Sequence, residues 1–120
     1  MREPVLTLIK ETLSDGQEVS IRVGGNCMKP VIRSGALVTI KGVPSCCEGE
    51  IVAYSIGNNV KVHRIIAKSS QTLFIGSDSS NPGIHEVLRS HVIGKVVKID
   101  NPTRLQNLMY KLKKMARVTT

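Results

Sequence analysis

The side chain best suited to chemistry in this sequence is a thiol. Cys27 lies in the stretch Gly24-Gly25-Asn26-Cys27-Met28-Lys29-Pro30. A cysteine attacks as its thiolate, and an unperturbed cysteine is mostly protonated at neutral pH. A nearby imidazole can take that proton and leave an ion pair competent for acyl transfer. The chain has three histidines, His63, His85 and His91. Against this stands the usual fate of a free cysteine, which is to pack as a small buried hydrophobe. On spacing alone, that second reading is the better one for Cys27.

A reactive thiol needs a rigid frame, and the flanking residues supply one. Val19-Ser20-Ile21-Arg22-Val23 alternates apolar and polar residues, which predicts a half-buried strand. Pro30 blocks strand pairing and Gly35 marks a turn, so Cys27 falls where a strand breaks into a tight loop. Upstream, Val5, Leu6, Leu8, Ile9 and Leu13 predict a short amphipathic helix over residues 4–13, expected to pack on a sheet. Pro4 suits its first turn and Ser14-Asp15-Gly16 its end. Downstream, strands are expected over residues 36–41, 50–56, 60–68, 71–75 and 91–99. Gly57-Asn58-Asn59 joins two of these as a hairpin. On its second strand His63 shares a face with Lys61 and Ile65, while Val62, Arg64 and Ile66 face the other way. Asp78 through Gly83 reads as a polar loop. Six or seven short strands without βαβ alternation predict a mainly β, compact, antiparallel-rich fold, with a β core over 18–99 in a domain of residues 1–100.

Residues 101–120 change character. Asn101 can cap a helix and Pro102 suits its first turn. Leu105, Leu108, Met109, Leu112 and Met115 form one apolar stripe at spacings of three and four. The segment holds five basic residues and no acid, leaving 12 basic against 9 acidic residues in the first 100. This predicts a basic amphipathic C-terminal helix. Such a helix can lie on an anionic membrane surface, dock on another protein, or pack on its own domain, which is the most frequent outcome. A peripheral membrane or protein contact, if made, is expected through residues 102–118.

With 120 residues the chain is expected to form one domain around one core. Aromatic residues make up 2% and there is no Trp, so Val, Ile, Leu and Met must build that core. No apolar run reaches the length of a transmembrane helix, and the N-terminus does not read as a secretory signal. The expectation is a soluble, cytoplasmic protein, membrane-peripheral at most. The three cysteines, Cys27, Cys46 and Cys47, make a poor disulfide framework. They lack the spacing of a zinc site, so neither metal nor cofactor is expected. Cys46 and Cys47 read as packing residues. Nucleic acid is not an expected partner, because the first 100 residues are nearly charge-balanced and aromatic stacking platforms are missing.

Several stretches resemble, in order, the signal peptidase I and SOS-repressor superfamily of serine peptidases. The nucleophile box Gly-x-Ser-Met-x-Pro of that superfamily resembles Gly25-Asn26-Cys27-Met28-Lys29-Pro30, with cysteine in the place of serine. Its Gly-Asp-x-Val strands resemble Gly35-Ala36-Leu37-Val38 and Gly49-Glu50-Ile51-Val52. Its general-base box resembles Val62-His63-Arg64-Ile65-Ile66. Bacterial signal peptidases and the repressors have lysine as base; the archaeal and endoplasmic-reticulum enzymes have histidine followed by arginine, as here. The Gly-Asp-Asn box resembles Gly76-Ser77-Asp78-Ser79-Ser80-Asn81, and the closing strand resembles Val92-Ile93-Gly94-Lys95-Val96-Val97. One such box would be weak; five in order over residues 19–99 are strong for the fold.

The resemblance implies a soluble signal-peptidase-like endopeptidase acting on a peptide or protein substrate. Cys27 would be its nucleophile, and His63 its general base and then the acid for the leaving amine. The backbone amide of Cys27 would donate to the oxyanion. Gly25, Asn26, Met28 and Pro30 would shape the substrate-binding and oxyanion side of the loop. Asp78 matches the aspartate of its box and would be a third member fixing the histidine tautomer; an Asx-type turn is its equal alternative. His85 is a reserve candidate for orienting water or substrate, and His91 is expected at a surface or edge. Arg64 is expected to make structural polar contacts. The competing reading is a catalytically inactive peptide-binding module that keeps the fold, against which the presence of His63 argues.

Overall fold

The computed structural model describes residues 3–25, 28–42, 46–78, 83–103, 105, 108, 109 and 112. One helix, α1 (Glu3–Ser14), precedes the strands β1 (Glu18–Arg22), β2 (Leu37–Lys41), β3 (Ile51–Ile56), β4 (Asn59–Lys68), β5 (Thr72–Gly76) and β6 (Ile84–Leu88). A 3-10 turn (Arg89–His91) then leads into β7 (Val92–Asp100). The strands form one sheet in the order β1-β2-β7-β3-β4-β5-β6, and every pairing in it is antiparallel. The fold is therefore mainly β with a short N-terminal helix, as the alternation of the sequence predicts.

Helix α1 buries Leu6, Ile9 and Leu13, spaced three and four apart, and turns Val5 and Leu8 to solvent. It ends where Gly16 N–H donates to the Leu13 carbonyl. Ile9 and Leu13 pack with Met28, Ile32, Val38, Ile40, Ile51, Ala53 and Val62 in one core. The other face of the sheet carries a second core of Cys46, Val52, Tyr54, Ile65, Leu73, Ile75 and Val87. Alternate residues of β3 thus enter opposite cores, so Ile51 through Ser55 are all buried. A strand covered on both faces has no polar side, which is why β3 reads as a nearly continuous apolar run.

Strand β6 departs from the sequence expectation. Of its five residues, Ile-His-Glu-Val-Leu, only Val87 is buried. It lies at the edge of the sheet and pairs with β5 alone. An edge strand with one anchoring residue leaves no period-two signature. His91, expected to begin the last strand, ends the 3-10 turn instead, and β7 starts at Val92. Leu105, Leu108, Met109 and Leu112 are helical, and each is more than half exposed. Among the described residues no helix is long and apolar enough to cross a membrane.

Candidate active site

The position of His63 follows from a turn. Gly57 and Asn58 join β3 to β4 with Ile56 opposite Asn59, and Gly57 has φ +57°. A two-residue hairpin requires such a left-handed first residue, which glycine adopts without a Cβ clash. That register sets Val52 opposite His63 and Tyr54 opposite Lys61. Cross-strand partners share a face, so Tyr54 is the diagonal neighbour of His63.

The two side chains meet there. Tyr54 Oη lies 2.8 Å from His63 Nδ1, and the rings are tilted by 47°. Tyr54 is fully enclosed by the second core, and His63 is 9% exposed. Desolvation lowers the His63 pKa below its ordinary 6.5, electrostatic interaction with Lys61 and His85 lowers it further, and the Asp78 carboxylate opposes them. The ring is therefore neutral at pH 7. Either atom can be the donor in this contact; in the tautomer with Nδ1–H donating to the phenol oxygen, Nε2 keeps its lone pair and can accept a proton. A phenol engages Nδ1 as a carboxylate would, but it can donate as well as accept and it lacks the negative charge that favours imidazolium.

Asp78 binds the neighbour of His63. Arg64 Nε donates to Asp78 Oδ1 at 2.9 Å and an Arg64 Nη donates to Oδ2 at 2.7 Å. The other Nη reaches the Gly49 carbonyl at 2.6 Å. This bidentate pair raises the Arg64 pKa and ties β4 to the segment after β5. Asp78 thus reaches His63 as a nearby charge, while Tyr54 holds Nδ1.

Asn26 and Cys27 lie outside the described residues, but the frame around them is defined. At the neck of the loop Val23 N–H donates to Ala36 O, and Gly35 N–H donates to Val23 O, both at 2.8 Å. An Arg22 Nη donates to Gly35 O at 2.7 Å. Inside the loop Ile32 N–H donates to Met28 O, and the Met28 and Ile32 side chains plug the helix-side core. Gly25 is exposed, with φ +90°, a conformation that suits glycine. Pro30 is also exposed. The described residues of the loop are thus joined at its base and anchored through Met28 and Ile32.

The remaining candidates are dispersed. His85 is exposed on β6 and acts on His63 through charge. His91 is exposed, and its carbonyl accepts from Ser55 Oγ. Cys46 is buried in the second core, as expected of a packing residue, and burial raises its pKa. Cys47 is exposed instead. Among the described residues no three His, Cys, Asp or Glu side chains gather as metal ligands.

Tyr54 is the residue that the sequence reading passed over. Its signal was present: once Gly57-Asn58 is taken as a two-residue turn, counting back along both strands makes Tyr54 the diagonal neighbour of His63.

Comparison with known proteins adds one match. The family model described as Peptidase S24-like matches residues 2–97. No curated protein matches the chain.

Proposed function

The chain belongs to the Peptidase S24-like family, and from that footing we propose that it is an endopeptidase with Cys27 as nucleophile and His63 as general base. The observation that carries the reading is the buried, neutral His63 with Nδ1 engaged by Tyr54. A buried neutral histidine on a strand, carrying its proton on the Tyr54-engaged Nδ1, is suited to accept a proton at Nε2. The backbone hydrogen bonds of Val23, Gly35 and Ile32 hold the described residues on either side of positions 26 and 27, a frame suited to carrying a nucleophile.

In this mechanism His63 Nε2 takes the Cys27 thiol proton as Sγ attacks the scissile carbonyl carbon. The carbonyl oxygen becomes an oxyanion and accepts from the Cys27 backbone N–H. The intermediate collapses with cleavage of the C–N bond, and His63 returns the proton to the leaving amine. A thioester remains. Water then loses a proton to His63, adds to the thioester carbonyl and expels Sγ, which recovers the proton. Tyr54 keeps Nδ1–H directed away from the reaction throughout. The Arg64–Asp78 pair fixes the strand carrying the base, and Met28 fixes the loop carrying the nucleophile.

The test is cleavage of a library of unstructured peptides, read by mass spectrometry, with Cys27→Ala and His63→Ala as controls. New peptide termini produced by the parent and lost in both variants support the peptidase. Retention of peptides without cleavage by parent and variants alike would contradict it and identify a binding module.

A further inference from the structure

Two features outside the candidate catalytic pair coincide at the C-terminal end of the sheet. The first is the apolar row Leu105, Leu108, Met109 and Leu112, helical and more than half exposed at every position. Spacings of three, four and seven put these side chains on one face of a helix. The sequence surrounds the row with Arg104, Lys111, Lys113, Lys114 and Arg117, and residues 101–120 contain no acid. The second is how the row is rooted. Asn101 Oδ1 accepts from Arg33 N–H at 2.8 Å, and Asn101 Nδ2 donates to Val31 O at 2.9 Å. An Arg33 Nη donates to Pro102 O at 2.8 Å, and Pro102 is buried. The start of the tail is therefore clamped to residues 31–33, directly after the Cys27-Met28-Lys29-Pro30 box. Lys29, Pro30, Val31 and Arg33 are themselves exposed.

We propose that the exposed apolar row and its cations are a docking surface for an anionic lipid bilayer. A helix of this composition lies in the plane of the interface, with its leucines among the acyl chains and its lysines and arginines at the headgroups. The uniform positive charge favours this occupant over a protein groove, because it complements an extended anionic surface, while the exposed row answers to its apolar layer. The clamp at Asn101 gives docking a direction: residues 31–33, tied to the root of the row, are carried toward the same surface. Docking does not depend on Cys27 being a nucleophile, and either property can fail without the other.

The test is sedimentation of the full chain with vesicles of phosphatidylcholine alone or with phosphatidylglycerol added. Two variants accompany it: Lys111→Glu/Lys113→Glu/Lys114→Glu, and Leu108→Ser/Leu112→Ser, with their folding checked by thermal melting. The expected result is co-sedimentation at least about tenfold stronger with the anionic vesicles and weakened by added salt. Both variants should lose it while melting as the parent does. No co-sedimentation, equal binding to neutral vesicles, or binding retained by both variants would overturn the proposal.

Discussion

Tyr54 and His63 lie diagonally across the β3–β4 hairpin, with the phenol oxygen 2.8 Å from Nδ1. This contact engages Nδ1, and it does so with a neutral partner. Removing the hydroxyl in Tyr54→Phe keeps the aromatic packing and leaves a buried nitrogen unpaired, at a cost of about 1–3 kcal/mol. The expected kinetic result is a fall in kcat on the order of tenfold, with little change in KM, because the loss concerns the orientation of the base. Nitrogen chemical shifts should also show His63 changing from one tautomer to a mixture. A variant that melts lower but keeps both kcat and tautomer would make Tyr54 a packing residue only.

The depressed pKa of His63 has a consequence for stability. In the unfolded chain the ring titrates near 6.5, and in the fold it titrates lower, chiefly through desolvation. Between those values the unfolded state binds more protons, so stability rises with pH. The contribution is fully present above 6.5 and is lost as pH falls through the folded value. Thermal melts should therefore show the parent losing more stability on acidification from pH 7 than His63→Gln does. Parallel curves for the two proteins would contradict the assignment.

Asp78→Asn separates a structural role from a catalytic one. It breaks the bidentate pair with Arg64, whose side chains are 32% and 17% exposed. A partly exposed pair contributes on the order of 1 kcal/mol, and the melting temperature should fall accordingly. The tautomer of His63 should be unchanged, since Nδ1 is held by Tyr54. If Asp78→Asn randomises the tautomer while Tyr54→Phe does not, the carboxylate orients the base after all.

Asn101 links the end of the sheet to the loop bearing Cys27. Asn101→Ala removes both of its hydrogen bonds to residues 31 and 33, each contributing about 0.5–1.5 kcal/mol. Amide exchange should speed up over residues 28–33 and remain unchanged in β3 and β4. Uniform acceleration throughout the sheet would indicate global destabilisation instead.

The legible parts of this chain were those where burial alternates or a turn has a fixed length. Helix α1 was marked by Leu6, Ile9 and Leu13, and the central hairpin by Gly57-Asn58. The edge strand β6 was hidden because Ile84 and Leu88 are apolar yet exposed, leaving Val87 alone to mark its buried face. At the site, His63 stood out by its surrounding motif, whereas Tyr54 looked like one more core residue of an apolar strand. The role of Tyr54 depends on register across two strands, which single-strand periodicity does not display. Asp78 was conspicuous for its charge, and Arg64, expected to make structural polar contacts, makes them with that carboxylate as a bidentate pair.

The most direct test of the central claim is the rate of Cys27 alkylation against pH, read residue by residue by mass spectrometry, in the parent and in His63→Ala. Cys46 and Cys47 supply buried and exposed thiol standards within the same molecule. The account predicts that Cys27 labels at least about tenfold faster at pH 7 in the parent than in His63→Ala, since an ordinary thiol of pKa about 8.5 is mostly protonated there. The advantage should disappear as pH falls through the lowered folded-state pKa of His63 and its ring becomes protonated. Labelling of Cys27 that follows an ordinary thiol titration in both proteins would contradict a pairing of Cys27 with His63.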